Sequence, residues 1–295
     1  MKNLISAKPP SKWSIISGAL AFVLAYGQLA SVGVAQPGVD EAARAALPEG
    51  IRTEGVLKVA TSLQWPPFDY VGPDGKPVGL DVSLIKLIAA KLGLEPQFED
   101  IKFPSIVPGV QSGRYHAGVN QLAITAERGK VVDFLPYFKA GFGLLVRTGS
   151  TADLKINALC GRNLAVVQGS MQMTIGEELS KRCVSEGKRE LTLSVYPSTA
   201  DAYLAVANGR GDGAISATAV GIYIGTTNQK LAMTKEVVPG FEVISGIALQ
   251  KGNEQLRQAM RIAMERLYAE GEYQKLLAEY GVPESALSLD EIKRP

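Results

Sequence analysis

Residues 57–93 read LKVATSLQWPPFDYVGPDGKPVGLDVSLIKLIAAKLG, and the architecture can be built outward from this stretch. Leu57-Lys58-Val59-Ala60-Thr61 has the apolar, alternating character of a strand. Trp65-Pro66-Pro67-Phe68 must be a loop, because two consecutive prolines fix φ and remove two N–H donors. Gly72-Pro73-Asp74-Gly75 is a turn. Asp81 is read as the cap of a helix in which Val82, Ile85, Ala89 and Leu92 recur at helical spacing, and Gly93 ends it.

Downstream the same unit recurs. A strand at 97–99 is followed by a short helix at 105–112, a strand at 117–119 and a helix beginning after Thr125. The apolar strand at 143–146 leads into a polar segment, 147–153, where the chain is expected to cross to a second lobe. That lobe repeats the pattern, with a strand at 164–167, the turn Gln168-Gly169-Ser170, a helix to 181 and a strand at 193–196. A Ser198-x-x-Asp201 capping box, a helix before Gly209, a strand at 213–215 and a helix at 219–225 follow. Near 246–249 the chain returns to the first lobe and ends in two helices, the first with Leu256, Met260, Ala263 and Leu267 on one face. Alternating strands and helices predict an α/β fold of two lobes, each a mostly parallel sheet flanked by helices. The expected division is 1–35 leader, 36–54 polar connector, 55–146 with 247–295 as lobe 1, and 147–246 as lobe 2. The connector is read as weakly tied, with one short helical pattern at Asp40 to Ala46, and the tail 283–295 as contributing little.

The first 35 residues have the layout of a secretory signal peptide: a basic start (Lys2, Lys8, Lys12), an uncharged apolar run, and small residues Gly33 and Ala35 before a cut near Ala35. An uncleaved anchor is the alternative, since the uncharged run is nearly long enough to span a bilayer. The formal net charge of +2 includes those three lysines and falls to −1 without them. Such a balance gives no support to a basic nucleic-acid face. In an exported chain the isolated pair Cys160 and Cys183 reads as one disulfide. His116 is the single histidine, so no Cys/His metal site is expected, nor a Ser/His/Asp or Cys/His catalytic set. No cofactor is expected.

In order along the chain stand Leu57–Thr61, Trp65-Pro66-Pro67-Phe68, Gly75-Lys76-Pro77-Val78-Gly79-Leu80-Asp81, Gln111-Ser112-Gly113-Arg114, Ile124-Thr125-Ala126-Glu127-Arg128, Val132-Asp133-Phe134, Gln168-Gly169-Ser170, Gly209-Arg210-Gly211-Asp212 and Gly271-Glu272-Tyr273. In this set the chain resembles the extracellular solute-binding proteins, family 3, of polar amino-acid ABC transporters, over essentially everything from Leu47 to Val282. The resemblance implies a type II-like periplasmic-binding-protein fold with two crossings between lobes that close on a ligand. It implies a monomeric periplasmic protein that delivers a small carboxylate-bearing solute to an ABC permease.

By that resemblance Arg128 grips the ligand carboxylate, and a planar, always-charged guanidinium suits the task. The plainer reading is a surface arginine paired with Glu127 or Asp133. Trp65 and Phe103 would sandwich the ligand's body, or else belong to the core, as Phe68 is expected to. Ser170, after Gln168, opens a helix and offers a hydroxyl and backbone donors, or is an ordinary cap. Two departures stand out. Ala217 occupies the position of the family acid that pairs with an α-ammonium, and Ala123 stands where many members carry a hydroxyl. Asn120 and Gln121 could supply amides in compensation, and Ser62 or Thr218 could read an amine. The expected ligand is a small carboxylate, an amino acid, amino-acid derivative or other organic acid, that either lacks a free α-amino group or has its amine read by another route. The alternative is a periplasmic dehydratase of the cyclohexadienyl/prephenate type on the same fold, with Glu178 or another acid entering the cleft.

Overall fold

The computed structural model describes residues 38–150 and 154–294, and the expected signal peptide at 1–35 lies outside them. The first sheet has five strands in the order Glu95–Asp100, Val56–Thr61, Ala117–Gly118, Val243–Gln250 and Val132–Ala140. The second, also five-stranded, has the order Thr192–Tyr196, Asn163–Val167, Gly213–Ala217, Phe142–Arg147 and Leu231–Val237. Each sheet is parallel across its first three strands and antiparallel across the other pairings. The antiparallel partners are the strands that carry the chain between sheets, which explains the mixed pattern: a crossing strand arrives from the other lobe rather than through a helical return.

The crossings differ in place from the sequence reading. Val132–Ala140 pairs in the first sheet and Phe142–Arg147 in the second, so the chain leaves the first lobe at Gly141 and not in 147–153. It returns between Val237 and Val243, before the expected 246–249. A buried apolar strand carries no mark of which sheet it joins, and one glycine is the whole of the boundary.

Three further expectations are corrected. Asp81 does not cap the helix Leu80–Leu92, whose N-cap is Gly79; its carboxylate is fully buried and bonded to Gln121 and Tyr137. The connector is not loose: the helices Glu41–Ala45 and Glu49–Glu54 bury Ala43, Leu47 and Ile51. Arg44 donates to the carbonyls of Leu92 and Gly93, and Arg266 to Asp40. Gly93, at φ 65°, leaves room for that arginine, because a Cβ there would lie 2.2 Å from its Nη1. Nor is the tail idle, since Leu287 and Ile292 are buried and Ser288 forms a capping box with Glu291.

The Leu80–Leu92 helix buries Leu84, Ile85, Ile88 and Leu92 completely, between the first sheet and the helix Glu254–Ala269. Its Lys91 is buried yet neutralised by Glu270 at 2.6 Å. The expected disulfide joins Cys160 to Cys183, with Cα atoms 5.5 Å apart, and ties the loop before Asn163–Val167 to the helix Met171–Ser185. Opening it by reduction, or with Cys160→Ser and Cys183→Ser together, is expected to lower unfolding free energy by about 3 kcal/mol. A urea midpoint unchanged by reductant would contradict this. His116 serves structure, its Nδ1 accepting the Lys58 backbone N–H at 3.2 Å; burial lowers its pKa, favouring the neutral ring that this acceptor role requires.

Candidate functional site

Between the sheets lies a narrow cleft lined by residues of both lobes. The first lobe contributes Trp65, Phe103, Asn120, Gln121, Ala123 and Arg128 to its wall. The second contributes Val167, Ser170, Met171, Gln172, Thr199 and Ala217, and the ends of the crossing strands add Ala140, Phe142, Val243 and Ser245. The topology accounts for this gathering. Strand ends and helix starts of both α/β units converge on one crevice, the usual place for a ligand in such folds.

Arg128 is the one charged side chain among the described residues lining the cleft. Its Nη1 donates to the Ala123 carbonyl at 2.9 Å and its Nη2 reaches across to the Gly169 carbonyl of the second lobe at 2.8 Å. Two of five guanidinium N–H groups are thereby occupied, which leaves three for a ligand. Burial lowers its pKa from the ordinary value, but a guanidinium remains charged at neutral pH. The ring of Phe103 lies 5.7 Å from its Cζ, a cation–π contact that steadies the group. Neither Glu127 nor Asp133 pairs with it; Asp133 is bonded to Lys251 instead. The helix expected after Thr125 is only a turn, Arg128–Lys130, because the strand at Val132 follows at once. Thr125 Oγ1 still accepts the Arg128 N–H at 3.2 Å.

Trp65 is 7% exposed, and its ring lies 6.4 Å from Tyr203 of the second lobe, so it forms a wall where the lobes meet. Its Nε1–H has no partner among the described residues, and the same holds for Ser245 Oγ and Gln121 Oε1. Three buried polar atoms without partners around one cavity mark a surface completed by a ligand, since each alone would be costly. Phe68, as expected, is core, edge-on to Phe138.

Of the residues singled out in the sequence, Arg128, Trp65, Phe103, Asn120, Gln121, Ala123 and Ser170 line this cleft. Three do not. Gln168 is exposed, and its N–H is tied to the Tyr196 carbonyl. Ser62 is buried behind the wall, where its carbonyl accepts from Asn120. Thr218 faces the adjoining space beside Tyr70 and Tyr223. Ser170 acts as a cap, accepting the Met173 N–H at 3.2 Å, while also lining the cleft. Ala217 is at the wall, at the start of the helix Thr218–Thr227, and no carboxylate takes its place there among the described residues. Val167, Thr199, Val243 and Ser245 were not anticipated; each reads as an ordinary strand or helix residue until the crossings bring it to the cleft.

The chain matches the bacterial extracellular solute-binding proteins, family 3, over residues 57–283, and it belongs to that family. It is 30% identical over 253 residues to the L-cystine-binding protein TcyJ of Escherichia coli, covering 85% of this chain and 91% of that one. The structure of the amino acid ABC transporter substrate-binding protein AbpA from Streptococcus pneumoniae, bound to L-arginine, superimposes with a TM-score of 0.72 at 27% identity, over 80% of this chain and 99% of that one. An ancestral amino acid-binding protein, AncCDT-1, described as a precursor of cyclohexadienyl dehydratase, gives 0.69 at 25% identity, over 78% and 97%. The protein is thus the solute-binding component of an ABC importer, and its fold is that of the two-lobed periplasmic binding proteins.

Proposed function

We propose that the cleft captures a small monocarboxylate with an apolar body and no free α-ammonium, and that a monomer with its leader removed near Ala35 presents it to the permease. The carrying observation is electrostatic. The lining holds one cation, Arg128, and no anion among the described residues, so a monoanion neutralises the site whereas a zwitterion leaves its ammonium uncompensated. Trp65, Phe103, Phe142, Val167 and Val243 supply apolar walls for the remainder of the ligand.

The likeness to AncCDT-1 keeps a dehydratase in view. Such chemistry asks for a general acid in the cleft. Glu178 is paired with Lys181 on an exposed helix face, and the lining residues offer no acid, which supports binding over turnover. Native mass spectrometry of freshly purified protein, followed by a thermal-shift screen of amino acids, 2-oxo and 2-hydroxy acids, aromatic acids and dicarboxylates, tests the reading. A monocarboxylate lacking an amine is expected to give the largest shift and to be recovered unchanged. Tighter binding of ordinary amino acids, or conversion of the ligand, would overturn it.

A further inference from the structure

Behind the cleft lies a buried polar cluster that carboxylate capture leaves unexplained. Gln121 is the one non-glycine residue with positive φ, 49°, among the described residues. Asp81 grips it twice: Oδ2 accepts its backbone N–H and Oδ1 its side-chain Nε2–H, both at 2.9 Å. Tyr137 closes the ring, donating to Asp81 Oδ2 at 2.7 Å and accepting from Gln121 Nε2 at 3.1 Å. Every side-chain and backbone donor of Gln121 is thereby occupied, and Oε1 is left buried and without a partner among the described residues, on a residue that lines the cleft.

Asp69 stands beside Asp81, and both are fully buried. Asp69 accepts from Thr61 Oγ1 at 2.8 Å and from Asn120 Nδ2 at 2.9 Å. No lysine or arginine pairs with either carboxyl among the described residues, and two adjacent carboxylates in such surroundings do not both ionise. Asp81, with three donors aimed at it against two at Asp69, is the better placed of the two to carry the charge, which leaves the proton to Asp69. Burial and the neighbouring Asp81 accordingly push the Asp69 pKa well above the ordinary carboxylate range. A hydrogen-bonded anion on the far side of the Gln121 amide also polarises that amide and strengthens its free oxygen as an acceptor.

We propose that Asp81, backed by Asp69, is the positioning residue that holds the Gln121 amide in the cleft, and that Gln121 Oε1 selects ligands carrying an uncharged hydrogen-bond donor. The selection rests on the carboxylate reading above; the positioning does not. A neutral amide oxygen completes a hydroxyl or amide N–H, but it offsets a desolvated ammonium far less well than a carboxylate at the wall would.

The test uses the full mature chain. Without ligand, the side-chain amide protons of Gln121 are expected to be protected from exchange in wild type and to exchange freely in Asp81→Asn. The infrared spectrum at neutral pH should show a protonated-carboxyl band that Asp69→Asn removes. No band, or unprotected Gln121 protons in wild type, overturns the positioning. Binding is then measured with leucine, 2-hydroxy-4-methylpentanoate and 4-methyl-2-oxopentanoate. Asp81→Asn and Gln121→Met are each expected to weaken binding of the hydroxy acid at least tenfold, and the double variant by no more than either alone, because they remove one interaction. Additive losses, or unchanged affinity, overturn the proposal. Asp69→Ala should weaken binding similarly and Asp69→Asn recover most of it, since an amide donates where the acid did. Should Asp81→Asn not fold, Gln121→Met alone decides, and an unchanged preference for the hydroxy over the oxo acid refutes the selection. If none of the three acids binds wild type, selection falls with the carboxylate reading, while amide protection and the infrared band still decide the positioning.

Discussion

Arg128→Ala is expected to weaken binding of the cognate carboxylate by about 2–5 kcal/mol, thirtyfold or more, with far-UV circular dichroism and melting nearly unchanged. The magnitude follows from leaving a desolvated carboxylate without its partner. Fold integrity follows from what Arg128 touches: its two bonds are to carbonyls at the cleft wall, and its packing partner is a half-buried ring, Phe103. The Gly169 bond adds a second consequence. One guanidinium holds the Ala123 segment of the first lobe and the Gly169 turn of the second, so the variant also loses a link between lobes. Arg128→Lys is expected to recover little, because an ammonium lacks the fork that bridges both carbonyls and still faces the ligand. Near-wild-type affinity of Arg128→Ala in calorimetry would show that the anchor lies elsewhere.

The parts of this site that can be read in the sequence are those defined by short ordered motifs. Trp65 follows a strand end in a proline loop, Arg128 closes Thr-x-x-Arg, and Ser170 opens a helix after Gly169; all three line the cleft. Features that depend on long-range pairing were illegible. Asp81 has the look of a helix cap, and nothing local shows that its partners are Gln121, 40 residues on, and Tyr137, 56 residues on. The strand legible at 143–146 gives no sign that a longer strand, Val132–Ala140, precedes it in the other sheet with only Gly141 between them. The connector departs from its reading for a different reason: Ala43, Leu47 and Ile51 fall at helical spacing, but an alanine- and proline-rich segment looks weakly tied until that stripe finds its partners. Packing of Glu41–Ala45 against the Leu80–Leu92 and Glu254–Ala269 helices, and of Glu49–Glu54 against the strand Val56–Thr61, not intrinsic propensity, holds such short helices.

Wild-type protein is expected to bind an α-amino acid no more tightly than its 2-hydroxy analogue, and Ala217→Asp to raise the relative affinity for the amino acid at least tenfold. Ala217 is 6% exposed and lines the cleft at the junction of the Gly213–Ala217 strand and the helix that follows. A carboxylate introduced there gains from the helix start, where free N–H groups favour negative charge, so the change should not unfold the lobe. Close interfacial charge pairs couple by about 1.5 kcal/mol or more, which sets the tenfold minimum. Ala217→Asn controls for size without charge and is expected to leave the ratio near wild type. The competing outcome is equally definite. If wild type strongly prefers the amino acid, the ammonium is read without a carboxylate at the wall, and two groups are placed for it: the face of Trp65, by cation–π attraction, and Gln121 Oε1, backed by the Asp69–Asp81 pair and its single negative charge. The two routes separate in Gln121→Met, which would abolish that preference only if the amide oxygen carries it, because the Trp65 ring is untouched by the substitution.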